Sequence, residues 1–340
     1  MPPIQAIYGH LHDYRAGWGL LVLCFIFTVY RYNALPQKAL SSKHFLHFLY
    51  GLGVALVLTY VLAAVLYLIY PNYLNQSEAS VAAVSWLAIH GAPIYPDWRS
   101  GDVYGLPYGP LLFLTNGATL LLVPSILGSK LAGWVAVVSA LPLLYFTLRS
   151  KGTDRRVSFL LCLAAIALLS SFHEHSHAFW NRPEPFLILL TTLTLLAAQQ
   201  LPTSAAAIAI GILAGLAADF KLPQGLCAMP AALAVCGSGN SWKTRCSLAL
   251  LLLAGLSVIA LPFLVSFRAE ATIEGYISLV LTVANHGWSA GVLKDNVLFG
   301  LTLLCANFSR SLLARTNVSQ TFRVLAISWL TSLAKHDGYH

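Results

Sequence analysis

The sequence predicts an all-α polytopic membrane bundle of about ten spans. Of its 340 residues, 58% are hydrophobic and only 9% are charged, and the mean hydropathy is +0.72. These values lie far from those of soluble domains. Long apolar segments recur along the whole chain, and short polar segments separate them.

Ten segments are candidates for membrane-spanning helices, which need roughly 20 mainly apolar residues. No linker rich in Pro or Ser divides the chain, and no repeat of fixed period occurs, so the sequence predicts a single domain, 1–340. In chain order the segments are 17–30, 46–70, 131–148, 157–170, 186–198, 205–218, 222–236, 248–267, 292–306 and 322–334.

The apolar stretch 111–127 is predicted to be a helix that lies in the membrane interface instead of crossing it. Counting it as a span would place outside, against the positive-inside rule, the basic cluster of Arg149, Lys151, Arg155 and Arg156. With this choice, every acidic residue except Asp154 falls on the outer side. The net charge of +8 then follows from basic residues in inner loops and indicates no nucleic-acid partner.

The largest segment outside the membrane is the outer loop 71–130, which is long for a connection and is therefore a candidate functional element. Ser77 is predicted to be the N-cap of a helix over 78–90, and Gly91 its C-cap. Glu78 then lies in the first helical turn, where the helix dipole stabilises a carboxylate by about 0.3 to 1 kcal/mol. A purely structural role for Glu78 stays open on this ground.

Motifs in four segments of the chain follow one another on the predicted outer side. The outer loop contains HGAPIYPD from His90 and YGPLLFL from Tyr108. NRPEPF begins at Asn181, LAADFKLP at Leu216 and AKHDGYH at Ala334. Together they resemble the multi-spanning enzymes of the glycosyltransferase C superfamily, above all the bacterial dolichyl-phosphate-mannose-mannosyltransferase-like and aminoarabinose-transferase-like enzymes.

This resemblance implies a glycosyltransferase C-like fold and a hexosyltransferase-type activity. A sugar would pass from a polyprenyl-phosphate donor to a lipid, glycan or protein acceptor at the periplasmic face of a bacterial inner membrane. Glu78 would be the catalytic base. The resembled enzymes continue through further spans beyond the place of His340, so the resemblance also implies a shortened member or an incomplete gene model.

Chemistry supports these roles independently of the family. An enzyme on the outer face cannot draw on cytosolic nucleotide sugars, and the chain shows neither GxGxxG nor a phosphate loop. The transfer needs a base for the acceptor hydroxyl and cations for the leaving phosphate. Glu184 is a second candidate catalytic carboxylate, which would orient the acceptor or bind a divalent metal, Mg²⁺ or Mn²⁺. The candidate phosphate-binding residues are Arg182, Lys221, Lys335 and His340.

Structural alternatives stay open for the same residues. Glu184 also fits a helix N-terminal acid between two prolines. Lys221 also fits a partner of Asp219 or a side chain that reaches to the interface, and Arg182 also fits a lipid headgroup anchor. Aromatic residues crowd the outer loop, where they would stack on a sugar or form an interfacial belt. The candidate acceptor- or sugar-binding residues are Tyr95, Asp97, Trp98 and Tyr108.

Two other functional classes stay open. His173, Glu174 and His177 spell H-E-x-x-H, so an intramembrane zinc metalloprotease is one alternative. Against it, the motif stands between the end of a predicted span and a proline, and no third ligand segment is evident. A transporter or lipid-binding protein is the other alternative; it predicts ionisable residues at mid-membrane depth, to which Asp219 and Lys221 are the nearest approach.

Overall fold

The described part of the chain is helical. The computed structural model describes residues 43–96, 106–150, 180–236, 241–265 and 271–284, with isolated positions at 104, 152, 155, 158–159, 161–162 and 165. No strand occurs among these residues, and the predicted all-α class is confirmed. The helices are α1 (Lys43–Ile69), α2 (Gln76–Ile89), α3 (Pro110–Leu122), α4 (Ile126–Ser150), α5 (Glu184–Gln200), α6 (Thr203–Phe220), a 3-10 helix (Leu222–Ala228), α7 (Met229–Cys236), α8 (Ser241–Leu264) and α9 (Ile273–Ala284).

Four of the described helices are long and apolar enough to cross a membrane. The candidate spans are Tyr50–Ile69 within α1, all of α4, all of α6, and Trp242–Leu264 within α8. Their length and composition indicate a membrane protein with transmembrane helices. They coincide with four of the predicted spans, namely 46–70, 131–148, 205–218 and 248–267.

Two predicted spans form shorter elements than expected. The segment 186–198 lies in α5, whose 17 residues extend about 26 Å against a hydrocarbon core of about 30 Å. The segment 222–236 is divided between the 3-10 helix and α7, so no single α-helix runs through it. Helix α3 has 13 residues, which agrees with leaving 111–127 out of the spans. The predicted spans 17–30, 292–306, 322–334 and most of 157–170 lie outside the described residues, so the total of ten stays a prediction.

Helices α6 and α8 pack against each other through glycines. A Cβ atom on Gly211 would come within 2.3 Å of the Leu251 carbonyl oxygen, and one on Gly215 within 2.6 Å of the Gly255 carbonyl oxygen. The absence of side chains therefore lets the two backbones touch. In a bilayer, where lipid chains are as apolar as the helices, such close van der Waals packing is a main source of helix association.

Helix α2 begins two residues earlier than the sequence predicts. Its N-cap is Asn75, whose Oδ1 accepts a hydrogen bond from the Ser77 backbone N–H at 2.8 Å. Glu78 Oε1 accepts one in return from the Asn75 backbone N–H at 3.2 Å. Asn75 and Glu78 thus form a capping box, and the prediction of Ser77 as the N-cap is wrong because Ser77 lies inside the first turn.

The other end of α2 comes one residue earlier than predicted, so the prediction of Gly91 as the C-cap is wrong. His90 is the C-cap, and Gly91 follows it with a φ of +91°, a conformation that glycine adopts without strain. The Gly91 N–H donates to the Ala88 carbonyl at 3.1 Å, and the Ala92 N–H donates to the Leu87 carbonyl at 3.1 Å. This pair of hydrogen bonds is a Schellman motif, which ends the helix and turns the chain into the aromatic part of the outer loop.

The start of α3 lies directly on the end of α6. The Gly109 N–H donates to the Phe220 carbonyl at 3.0 Å. A Cβ atom on Gly109 would lie 1.9 Å from the Asp219 carbonyl oxygen, so only glycine permits this approach. The contact fixes Tyr108 beside Lys221. Beneath it an apolar core joins α2, α3, α5 and α6 and includes Val81, Val84, Leu112, Phe113, Leu187 and Ala217.

Candidate functional site

Lys130, in the first turns of α4, fixes the end of α1. Its side chain is fully buried, and its ammonium donates to the carbonyl oxygens of Tyr67 at 3.0 Å, Tyr70 at 2.9 Å and Asn72 at 2.8 Å. These are all three hydrogens that a lysine ammonium has to donate. The ammonium also lies 4.4 Å from the Tyr67 ring centroid and 5.8 Å from that of Tyr73. Lys130 thereby compensates the negative end of α1 and sets the path of the chain towards α2.

Glu78 lies beside this lysine and is itself fully buried. One carboxylate oxygen accepts hydrogen bonds from the Leu74 and Asn75 N–H groups, both at 3.2 Å. The other accepts from the Tyr67 hydroxyl and, at 3.5 Å, from the Asn181 N–H. Burial raises the pKa of the Glu78 carboxyl above its ordinary value, while the hydrogen bonds from Tyr67 and Asn181 and the charge of Lys130 counteract part of that rise.

This geometry gives Glu78 a structural role. A general base needs an acceptor hydroxyl within about 2.6 to 3.2 Å or through one water. Each of the two oxygens of Glu78 already accepts two hydrogen bonds from the protein, which occupy the lone pairs that an acceptor hydroxyl would need. The carboxylate therefore fits the helix-start interpretation that the sequence left open, and it also joins α1, α2 and the segment before α5.

A second polar cluster, formed by Tyr108, Arg182, Glu184 and Lys221, lies next to the first. Arg182 Nε is 3.7 Å from the Glu184 carboxylate, and an Arg182 terminal nitrogen donates to the Tyr108 hydroxyl at 3.4 Å. Lys221 Nζ is 5.8 Å from the Tyr108 ring centroid. All four residues are less than a tenth exposed. Two cations thus meet at one phenol in a buried setting; we call these four residues the cation cluster.

Asn181 connects Glu78 to the cation cluster. Its N–H donates to the Tyr67 hydroxyl oxygen at 2.8 Å, and its side-chain amide donates to the Glu78 carbonyl at 3.4 Å. Arg182 follows it in the chain. The elements that meet here are the end of α1, the starts of α2 to α5 and the end of α6. Sequence-distant residues that were predicted to share one face therefore gather at one end of the bundle, and they are Glu78, Tyr108, Arg182, Glu184 and Lys221.

Tyr95, a predicted sugar-binding residue, is a packing residue in this structure. Its side chain is 3% exposed, and its hydroxyl donates to the Tyr108 carbonyl at 2.8 Å. Its ring lies edge-on to Phe113 and 5.1 Å from the Tyr276 ring. Burial raises the pKa of the Tyr95 phenol well above its ordinary value. Tyr95 therefore holds the backbone of Tyr108 in place and has no free face on which a sugar could stack.

The remaining predicted site residues lie outside the described residues. They are Asp97, Trp98, Lys335 and His340, together with the H-E-x-x-H residues His173, Glu174 and His177.

The described part of the chain does not fit the divalent metal suggested for Glu184. It contains no group of three or more His, Cys, Asp or Glu residues that could hold a metal ion. Glu184 instead has the Arg182 guanidinium at 3.7 Å, and that positive charge repels a divalent cation.

Sequence reasoning missed three residues of this region: Tyr67, Lys130 and Asn181. In the sequence, Tyr67 lies inside an apolar span and Lys130 marks only the end of the outer loop. One signal was available, because Lys130 is the lone charged residue between Asp102 and Arg149. A charge within a long apolar stretch is costly and therefore has a partner or a function. The identity of the partner, a set of backbone carbonyls, carries no sequence signature.

Comparisons of the chain with protein-family models, curated proteins and solved structures give no match.

Proposed function

We propose that the protein is a membrane glycosyltransferase that moves a sugar from a polyprenyl phosphate to an acceptor at the periplasmic side of a bacterial inner membrane. The observation that carries this proposal is the cation cluster. Arg182 and Lys221 come from different loops and converge on Tyr108 at one end of a helical membrane protein. Lys221 directly follows the candidate span α6, and the phosphate of a lipid carrier, which lies near the ends of membrane spans, is the kind of ligand that such cations bind.

The chemistry assigns a role to each member of the cation cluster. The acceptor hydroxyl oxygen forms a bond to the anomeric carbon, and the bond from that carbon to the phosphate oxygen breaks. The phosphate leaves with the bonding electrons and is neutralised by Arg182 and Lys221, with the Tyr108 hydroxyl as a further donor. Glu184, beside these cations, receives the acceptor proton. Glu78 supports the arrangement through Asn181 and takes no proton.

The experiment uses the full chain in liposomes with radiolabelled polyprenyl-phosphate sugars and a membrane extract as the source of acceptors. We expect protein-dependent transfer of label in the wild type. Arg182→Gln and Lys221→Gln should raise KM for the donor, and Glu184→Gln should lower kcat by at least about 100-fold, a general-base contribution. Lys243→Gln and Arg245→Gln are matched controls, because each substitution removes one positive charge from an exposed side chain outside the cation cluster.

Three results would contradict the proposal. The first is the absence of transfer from any donor of the panel. The second is activity that the Arg182, Lys221 and Glu184 variants leave unchanged. The third is peptide cleavage that Glu174→Gln abolishes, which would favour the metalloprotease instead. Loss of activity in Glu78→Gln with normal folding would return the base to Glu78.

A further inference from the structure

One cavity of the described structure has a lining that includes none of the four residues of the cation cluster. It has a volume of about 540 Å³ and lies between α2, α3, α6 and α8. That volume lies within the range of small-molecule sites. Its lining is almost entirely apolar and includes Ile89, Phe113, Leu114, Leu216, Val258 and Leu261.

Among the lining residues that the structure describes, Asp219 is the only ionisable one. The residue is 3% exposed, and among the residues that the structure describes none forms a hydrogen bond or an ion pair with its carboxyl group. The phenols of Tyr95 and Tyr276 are close enough to interact with it electrostatically. The other polar lining residue, Thr115, already donates its hydroxyl hydrogen to the Leu111 carbonyl at 2.6 Å. Burying a carboxyl group without a partner is costly, so a ligand that brings a hydrogen-bond donor gains from this site.

The cavity is also open to the bilayer. Leu121 of α3 and Leu261 of α8 line it, and each is 51% exposed. Helix α8 is a candidate span, and only 11% of its most apolar window is buried within the protein. An apolar chain can therefore enter from the surrounding lipid without crossing a polar surface.

We propose that this cavity binds an amphiphile whose hydrocarbon chain lies on the apolar lining and whose end group, an amine or a hydroxyl, donates hydrogen bonds to Asp219. An ordinary hydrocarbon chain would fill the space, but the lone carboxyl group selects the end group. A negatively charged end group would find no cation in this lining and would lose its hydration there, so this ligand differs from the phosphate that the cation cluster would bind. The inference does not depend on the proposed function.

The test uses three photoreactive C12 probes with the same diazirine in the chain and with an amine, a hydroxyl or a carboxylate at the end. The full chain in lipid nanodiscs is irradiated with each probe at neutral pH, and the labelled peptides are identified by mass spectrometry. We expect the amine and hydroxyl probes to label the peptides from α3 and α8 at least about tenfold more than the carboxylate probe, a preference of about 1.4 kcal/mol.

Two variants locate the effect. Asp219→Asn should remove the preference for the amine over the carboxylate, and Ala118→Trp, which fills the cavity, should reduce labelling by all three probes. Glu274→Gln is the matched control, because it removes an exposed carboxylate on α9 and should change nothing.

Equal labelling by the three probes would mean that they reach the protein only by partitioning into the bilayer, and it would overturn the proposal. A probe preference that survives both Asp219→Asn and Ala118→Trp would overturn it as well. If Asp219→Asn fails to fold, two results still test the proposal: the relative labelling of the wild type by the three probes, and the loss of labelling in Ala118→Trp.

Discussion

Replacing Lys130 by Met tests whether one ammonium holds the end of α1. The substitution keeps an unbranched apolar stem of similar length and removes the charge and three donors. The carbonyl oxygens of Tyr67, Tyr70 and Asn72 then lose the donors found at 2.8 to 3.0 Å. At about 1 to 3 kcal/mol for each buried group left unsatisfied, the loss is about 3 to 9 kcal/mol. Removing a buried ammonium also recovers part of its desolvation cost, so we expect a net destabilisation in the lower part of this range, about 3 to 5 kcal/mol.

The free energy of unfolding is measured by SDS titration of the purified protein in mixed micelles. Lys130→Arg should be destabilising as well, because a planar guanidinium cannot direct three donors at the three carbonyls that a tetrahedral ammonium reaches. Lys243→Met is the matched control; its side chain is exposed, and we expect a change within about 0.5 kcal/mol. A Lys130→Met protein within about 1 kcal/mol of the wild type would refute the argument that this ammonium satisfies buried carbonyls.

Three further substitutions test other parts of the same region. Because the pKa of Glu78 is raised in the folded protein, protonation of its carboxyl group stabilises the fold, and the free energy of unfolding should fall as the pH rises from about 4.5 to that raised pKa and stay level above it. Glu78→Gln should flatten this profile when thermal unfolding is followed from pH 4 to pH 8. An unchanged slope would contradict the raised pKa of Glu78. Asn75→Ala should cost about 0.5 to 2 kcal/mol through loss of the N-cap, and no loss in SDS titration would argue against the capping box. Gly109→Ala places a Cβ atom 1.9 Å from a carbonyl oxygen of α6 and should cost about 1 to 3 kcal/mol by overpacking; a thermal midpoint equal to that of the wild type would show that the close approach is absent.

The sequence predicted the existence of the helices more reliably than the residues at which they begin and end. Apolar length alone located the candidate spans in α1, α4, α6 and α8, because length is the property that the bilayer demands. The N-cap of α2 was harder to predict. Both Asn75 and Ser77 are good N-cap residues, and the choice between them depends on the side chain three positions later: Glu78 completes a capping box with Asn75 and not with Ser77.

The site was predictable only in part, because its contacts join distant parts of the chain. The motifs indicated that Glu78, Arg182 and Lys221 would share one face, and the structure gathers them at one end of the bundle. The capping box accounts for one carboxylate oxygen of Glu78, but the sequence could not show that Tyr67 and Asn181 would both donate to the other. That saturation depends on tertiary packing over more than 100 residues, and it is what separates a structural acid from a base.

The end of α6 separates two opposite charges that stand only two residues apart. The helix stops at Phe220, and Lys221 leaves it with extended φ and ψ values of −162° and 114°. Asp219 lines the apolar cavity, while the ammonium of Lys221 lies towards Tyr108 in the cation cluster. Gly109 packs against the backbone of Asp219 and Phe220, at the point where the helix ends. One helix end therefore presents a cation to one compartment and a carboxyl group to another, so an anionic lipid phosphate and a hydrogen-bond-donating amphiphile would bind without competing for the same charge.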